Sequence, residues 1–273
     1  MDYTDRAKEV LQTAQAVLIT AGAGMGVDSG LPDFRGDEGF WRAYPHAKKL
    51  GLSFEDLANP RWFKLEPHLA WAFYGHRLNI YRDTKPHQGF YLLREFVKGK
   101  QDNYFVYTSN VDGQFQKAGF SESRVIEVHG SIHFLQCSMP CSDDIWSAEG
   151  IRIDVDMETF RAKEPLPRCR NCGRMARPNI LMFGDCSWIP NRTEKQQANL
   201  YSWLRLNRGK RLVIIEIGAG VAIPTVKLFG EMTCREYGGN LIRINPRDYN
   251  IPESVSGIPL PMGALEALRK ILI

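Results

Sequence analysis

The sequence contains the stretch Val17-Leu-Ile-Thr-Ala-Gly-Ala-Gly-Met-Gly-Val-Asp-Ser-Gly-Leu-Pro-Asp-Phe-Arg-Gly36, in which an apolar run leads directly into a cluster of glycines. Gly22, Gly24 and Gly26 allow backbone positions that a side chain would block, so amide N–H groups can close on a phosphate. The spacing is G-x-G-x-G rather than the G-x-G-x-x-G of an ordinary dinucleotide loop, so the glycines alone are weak evidence for a dinucleotide. The stretch predicts a strand that ends at a phosphate-binding turn.

An acid, an aromatic ring and a guanidinium follow the glycines as Asp33-Phe34-Arg35. A site for a bare phosphate needs no such triplet, whereas a reacting ribosyl group could use all three side chains. The alternative is a tight turn in which Asp33 and Arg35 are simply paired. The triplet favours a nucleotide site with chemistry at the ribose.

Length and composition indicate an ordinary globular protein. The chain has 273 residues, of which 44% are hydrophobic and 24% charged, and this length fits one large domain or one domain with an insertion. We find no apolar run of about 18 residues, so no membrane association is expected. The polar start of the chain lacks the apolar core of a secretory signal, and we therefore expect a cytoplasmic location.

The charge distribution gives no sign of nucleic-acid binding. The net charge is only +4 and the basic residues are scattered. Their densest cluster is typical of a solvated helix end rather than a nucleic-acid patch; its members are Arg205, Arg208, Lys210 and Arg211. No specific nucleic-acid partner is predicted.

Apolar runs and helical patterns alternate along the chain. The predicted strands are Ala16–Ala21, Tyr104–Ser109, Arg124–Val128, Leu212–Ile217 and Leu241–Ile244, with Ile180–Phe183 as a shorter sixth. The predicted helices are Asp5–Gln15, Leu69–Thr84, Gln88–Val97, Glu194–Leu206 and Met262–Ile273. Continuous apolar strands that alternate with helices indicate an α/β fold with an open parallel sheet and a ligand crevice at the carboxyl ends of its strands. The glycine cluster, Ser109-Asn110, His129 and Gly218 each follow a predicted strand, so we expect them to meet at one edge of the sheet.

Two segments interrupt this pattern and read as insertions, one rich in Trp, Pro and Phe and one loop-like. The second holds Cys137-Ser-Met-Pro-Cys141 and Cys169-Arg-Asn-Cys172, two short-spaced pairs with 27 residues between them. In a reducing compartment such pairs favour one structural Zn²⁺ ion held by four thiolates over disulfides, the alternative being four unrelated thiols. Cys186 and Cys234 stand alone and are predicted to be inert core residues.

Taken in order, these motifs resemble those of the sirtuin family over nearly the whole chain. Thr108-Ser109-Asn110-Val111-Asp112 resembles its Thr-Gln-Asn-Ile-Asp motif, with Ser109 in place of glutamine, and His129-Gly130 matches its catalytic His-Gly pair. Arg177-Pro-Asn-Ile-Leu-Met-Phe-Gly-Asp185 is similar to its Arg-Pro…Phe-Gly-Glu segment, with aspartate as the acid. The resemblance implies one sirtuin-type catalytic domain over residues 1–273: a Rossmann-like parallel sheet, a helical insertion at about 37–86 and a zinc module at about 130–178.

The resemblance also implies a site for NAD and for an acylated or ADP-ribose-accepting protein. His129 would be the general base, with Asn110 and Asp112 beside it positioning the ribose and the nicotinamide amide. The implied cofactor-binding residues are Gly22, Ala23, Gly24, Asp33, Phe34, Arg35, Ser109, Asn110, Asp112, Gly218, Ala219, Gly220 and Asn245, and the implied zinc ligands are Cys137, Cys141, Cys169 and Cys172. Met182, Phe183 and Trp188 would line an acyl channel or belong to the core.

Three functions follow from these residues. The first is an NAD-dependent protein-lysine deacylase, favoured by His129 together with Asn110, Asp112 and the zinc module. The second is a protein mono-ADP-ribosyltransferase or NAD glycohydrolase, because Gly26-Val-Asp-Ser-Gly-Leu31 is similar to the macrodomain-linked sirtuins, although their catalytic position is usually not histidine. The third is a non-catalytic NAD-binding module. Ala219 and Gly220 lack the hydroxyls of the family's Gly-Thr-Ser, so a low deacylase rate would be consistent with this site.

Overall fold

The structure is a computed structural model, and it describes residues 2–33 and 36–273. Phe34 and Arg35, both predicted to contact the cofactor, lie outside the described residues. The centre of the molecule is a six-stranded parallel sheet in the order β11-β10-β9-β1-β2-β3. Its strands are β1 (Ala16–Ala21), β2 (Tyr104–Thr108), β3 (Val125–Glu127), β9 (Leu212–Ile217), β10 (Asn240–Ile244) and β11 (Gly257–Leu260).

Both faces of this sheet are covered by helices. The helices that flank it are α1 (Tyr3–Thr13), α7 (Gln88–Gly99), α9 (Asn191–Leu206), α10 (Thr225–Tyr237) and α11 (Ala264–Leu272). Alternate residues of β1 separate the two layers: Val17 and Ile19 pack with α1, α7 and α11, whereas Leu18 packs with α9 and α10. Because every residue of β1, β2 and β9 is buried, the strands read as continuous apolar runs in the sequence.

A helical layer and two small antiparallel sheets form the rest of the molecule around a second core. The helices of this layer are α2 (Gly36–Ala43), α3 (Pro45–Lys49), α4 (Phe54–Leu57), α5 (Trp62–Leu65) and α6 (Pro67–Asp83). The short helix α8 (Gln114–Lys117) and the 3₁₀ turn at Ala23–Ser29 pack instead on the core of the large sheet, and a second 3₁₀ turn lies at Glu122–Arg124. The small strands are β4 (Gly130–Cys137), β5 (Ile145–Ser147), β6 (Val155–Asp156), β7 (Arg161–Ala162) and β8 (Ala176–Ile180). None of the helices in the described parts of the chain is long and apolar enough to cross a membrane.

The predicted strand Ile180–Phe183 is wrong, because pairing with β4 ends at Ile180 and the residues beyond it form a loop. The strand itself begins earlier, at Ala176, and contains the buried polar residues Arg177 and Asn179. Polar and proline residues hid it from a pattern search based on apolar runs. Polar residues likewise interrupt the eight-residue strand β4, and the segment that contains it was therefore predicted to be loop-like.

Candidate functional site

A cavity of about 740 Å³ opens where β1, β2, β3 and β9 end. Most of the residues singled out in the sequence line it, although they come from separate parts of the chain: Gly22, Ala23, Gly24, Asp33, Ser109, Asn110, Asp112, His129, Gly218, Ala219 and Gly220. The parallel sheet explains this convergence, since the carboxyl ends of all its strands lie at one edge. A cavity of this size is in the range of small-molecule and cofactor sites.

The two glycine loops touch each other directly. Gly22 N donates to Ile217 O and Gly24 N to Gly218 O, each at 3.0 Å. A Cβ on Gly24 would lie 2.6 Å from Gly218 Cα, so only a bare backbone permits this approach. The amides of Gly22 and Gly24 are therefore already hydrogen-bonded to the residues that end β9 or follow it. The absence of side chains at the glycines allows the two loops to pack together at the cavity.

Asn110 and Asp112 follow β2 and differ in their surroundings. Asn110 is partly buried and its Nδ2 donates to Gly22 O at 3.0 Å, whereas Asp112 is buried. Burial raises the pKa of Asp112 to about 6, and the nearby Glu127 carboxylate adds to the rise, while a 2.9 Å hydrogen bond from Gln114 N opposes it. The Asp112 carboxylate is thus held at the cavity wall in an environment that favours its neutral form.

His129 lies in the turn between β3 and β4, with its ring on the cavity. Burial lowers the pKa of its imidazole, and a hydrogen bond with the Ser109 backbone partly opposes this shift. The imidazole is therefore mainly neutral at pH 7 and able to accept a proton. Gly130 is required next to it, because at φ +77° a Cβ would collide with the carbonyl of Asn179.

Asn245 is buried and is not among the residues that line the cavity. Its Nδ2 donates to Ala219 O at 2.8 Å, and its Oδ1 accepts from Arg247 N and Asp248 N. Its side chain therefore holds the Gly218–Gly220 loop in place from the side that faces away from the cavity. Met182 and Phe183 line the cavity, whereas Trp188 does not.

Helix α6 lines another part of this cavity with residues that the sequence motifs do not include. Tyr74, Arg77 and Tyr81 line it from one face of the helix, and Arg77 Nη2 donates to Tyr81 Oη at 3.0 Å. The guanidinium is buried and lies 5.1 Å from the centre of the Phe73 ring. The i, i+3, i+7 spacing of these residues within the predicted helix Leu69–Thr84 was the signal that could have found them.

The four paired cysteines come together at the end of β4. Cys137 Sγ and Cys172 Sγ are 3.7 Å apart, as are Cys141 Sγ and Cys169 Sγ, and all four sulfurs lie within 4.8 Å of one another. Thiolates at about 2.3 Å from a tetrahedral zinc ion are about 3.8 Å apart, so the cluster fits one such ion. Cys234 is buried as predicted, but Cys186 is exposed, so its assignment to the core is wrong.

Comparison with known proteins agrees with this geometry. The model of the Sir2 family matches residues 22–200. The chain belongs to the Sir2 family. It is similar to an NAD-dependent protein deacylase of Pyrococcus furiosus, with 32% identity over 87% of this sirtuin and 84% of the relative. It is also similar to an NAD-dependent protein deacetylase of Caldivirga maquilingensis, with 30% identity over 98% of this sirtuin and 91% of the relative.

The fold of this sirtuin also matches solved structures. A Sir2 homologue in complex with NAD has 23% identity and a TM-score of 0.72, with 98% of this chain and 92% of that chain covered. The likeness confirms the predicted fold class, a Rossmann-like parallel sheet with a small module that carries four clustered cysteines.

Proposed function

We propose that this protein is an NAD-dependent protein-lysine deacylase that works as one catalytic domain. The observation that carries this is the position of His129, a neutral imidazole on the same cavity as Asn110, Asp112 and the glycine loops. Relatives at 30% and 32% identity are named as a protein deacetylase and a protein deacylase. Bound NAD would supply a ribose carbon that takes the acyl oxygen when nicotinamide leaves.

The chain's own groups divide this work. The Gly22–Gly24 and Gly218–Gly220 loops would hold the dinucleotide, since together they form a bare backbone cradle at the ends of β1 and β9. Asn110 and Asp112 would orient the nicotinamide and its ribose. His129 would accept a proton from a ribose hydroxyl, because its lowered pKa keeps the ring unprotonated at working pH. The four cysteines would hold a structural zinc ion and supply no open position for substrate.

A protein mono-ADP-ribosyltransferase or an NAD glycohydrolase is the second candidate. Ala219 and Gly220 offer no side-chain hydroxyl to the cavity, and a partly equipped ribose site would slow deacylation. A reducing compartment such as the cytoplasm suits either function, because the metal site needs free thiolates.

Mass spectrometry of the products formed from NAD and a panel of acyl-lysine peptides separates these functions. Deacylated peptide with matching O-acyl-ADP-ribose, both lost in His129→Ala, supports the deacylase. A His46→Ala variant is the matched control, since His46 does not line the cavity. NAD consumption without deacylation would replace the deacylase with the transferase or glycohydrolase, and binding without turnover would leave a non-catalytic module.

A further inference from the structure

Arg177 on β8 and Asp185 in the loop beyond it form an ion pair whose two side chains are fully buried. Arg177 Nη1 donates to Asp185 Oδ1 at 3.1 Å, and a second bond joins Nη2 to Oδ2. Paired guanidinium and carboxylate groups fix geometry more strictly than a single hydrogen bond does. A buried pair of this kind costs desolvation energy, so its position calls for a reason other than stability.

The pair holds both ends of the loop that forms one wall of the cavity. Arg177 Nη2 donates to Ile180 O at 3.0 Å, where the loop begins. Asp185 Oδ2 accepts from Met182 N at 3.3 Å, and Oδ1 accepts from Ser187 N at 3.0 Å. Residues 180–183 all line the cavity, so these bonds set the position of its wall.

The same loop is tied to the catalytic region and to the helical layer. Leu181 N donates to His129 O, and Phe183 N donates to Ala58 O, each at 2.9 Å. The pair is also close to Tyr74, another cavity residue, because beneath the larger effect of burial, which raises the pKa of this phenol, Arg177 lowers that pKa and Asp185 raises it. A shift of Arg177 or Asp185 would therefore move residues of the cavity wall through these hydrogen bonds.

We propose that Arg177 and Asp185 are positioning residues for the acyl group, and that the length of the Asp185 side chain sets the depth of the acyl-binding wall formed by residues 180–183. This role presupposes the deacylase function proposed above. This chain carries the shorter acid, Asp185, where the family motif that the segment resembles ends in glutamate. An extra methylene between these partners is expected to displace either Arg177 or the backbone at Met182, because both side chains of the pair are fully buried and both are hydrogen-bonded to the loop.

The test compares the native protein with Asp185→Glu, which keeps the charge pair but lengthens it. Affinities for peptides carrying acetyl-, butyryl- and octanoyl-lysine are measured by fluorescence anisotropy, with kcat and KM for each peptide and KM for NAD measured alongside. We expect the preference between short and long acyl chains to change by about tenfold, the lower end of what one methylene is worth in an apolar pocket. The KM for NAD is expected to stay unchanged, because the hydrogen bonds of the pair go to the loop after β8 and not to the described glycine loops.

Cys186→Ser is the matched control, since Cys186 is exposed in the same loop. A double-mutant cycle with Met182→Ala adds a readout that loss of stability would not produce: the effects of Asp185→Glu and Met182→Ala on acyl preference should be non-additive. An unchanged acyl profile in a folded Asp185→Glu protein, or additive effects in the cycle, would overturn the positioning role alone. Failure of the native protein to bind any acyl-lysine peptide would overturn the deacylase function and this role together.

Discussion

The side-chain amide of Asn110 donates a 3.0 Å hydrogen bond to the carbonyl oxygen of Gly22. This bond joins the ends of β1 and β2, which pair in parallel, and Ser109 N adds a 3.1 Å bond to Ala21 O beside it. Asn110 therefore fixes the entrance of the first glycine loop as well as lining the cavity. One side chain links the proposed cofactor loop to the proposed nicotinamide site.

Replacing Asn110 with alanine should separate function from folding. We expect nicotinamide release from NAD to fall by about 100-fold, since a misplacement of about 1 Å costs that much in an oriented site. The free energy of unfolding should fall by only about 1 kcal/mol, the net worth of one hydrogen bond. Steady-state kinetics and urea unfolding measure the two effects.

Asn199→Ala, at an exposed position of α9, is the control for Asn110→Ala and should alter neither quantity. Unchanged nicotinamide release in Asn110→Ala would show that this side chain does not orient the substrate.

The pH dependence of deacylation should follow His129. Because burial lowers the pKa of this imidazole, the neutral ring persists below the ordinary value of about 6.5. We expect kcat/KM to be constant between pH 7 and pH 8 and to fall only on the acid side of that value. His129→Ala should abolish deacylation while NAD still binds, as isothermal titration calorimetry would show. An acid limb centred above pH 7 would contradict the assignment of His129 as a neutral base.

Asp112→Asn should make the protein more stable and less active. The raised pKa means that the folded state disfavours the carboxylate, whereas asparagine carries no charge and keeps the acceptor for Gln114 N. At pH 8, where the aspartate is ionised in both states, the free energy of unfolding should rise by up to about 3 kcal/mol. This gain should vanish as the pH falls from about 6 towards about 4, because the native Asp112 then becomes neutral as well.

Chemical denaturation at pH 8 and pH 5 measures the stability effect of Asp112→Asn, with the exposed Asp5→Asn as the control. Nicotinamide release measured in parallel should fall. A loss of stability at pH 8 would mean that the Asp112 carboxylate has a stabilising partner outside the contacts described above.

Zinc should be retained by four thiolates and lost when one is removed. We expect one zinc ion per chain in the purified protein, and a lower melting temperature with loss of metal in Cys141→Ser. The binding free energy of a structural zinc ion, about 10–16 kcal/mol, is large enough to hold a module with few strands together. Cys186→Ser, which changes an exposed thiol outside the cluster, should keep both the zinc content and the melting temperature.

Metal analysis by plasma mass spectrometry and thermal unfolding distinguish these variants. Full zinc occupancy in Cys141→Ser would show that the cluster does not act as a four-thiolate site.

Prediction from sequence succeeded where a residue pattern has one physical meaning. The bounds of β1 and β9 were predicted to the residue, because a strand buried on both faces needs an unbroken apolar run. Helix α10 was missed, partly because Gly230 lies in its interior and glycine is a poor helix former. That glycine faces Glu216, whose Oε2 would lie 3.2 Å from an added Cβ, and only the packed structure shows this reason.

The residues of the candidate site also fall into two groups, those that sequence could assign to the site and those that it could not. The residues at the ends of β1, β2, β3 and β9 could be assigned to one crevice from sequence, since parallel strands place their carboxyl ends together. The spacing of Arg77 and Tyr81 places them on one face of helix α6, but only the tertiary structure shows that this face meets the cavity. Asn245 follows a strand of the same sheet, yet its side chain donates a hydrogen bond to the backbone carbonyl of Ala219 and does not line the cavity.

The sequence by itself therefore determined five of the six strands of the central sheet, the family, the set of cavity residues that follow strands and the four cysteines of the metal cluster, but not the edge strand β11. These are encoded in short segments whose apolar period, glycine content or ligand spacing is local. Only the tertiary structure decided which amides of the glycine loops are already bonded, where the wall at residues 180–183 stands and which buried charges surround Asp112. Those features arise from contacts between segments far apart in the chain, and no local pattern records such contacts.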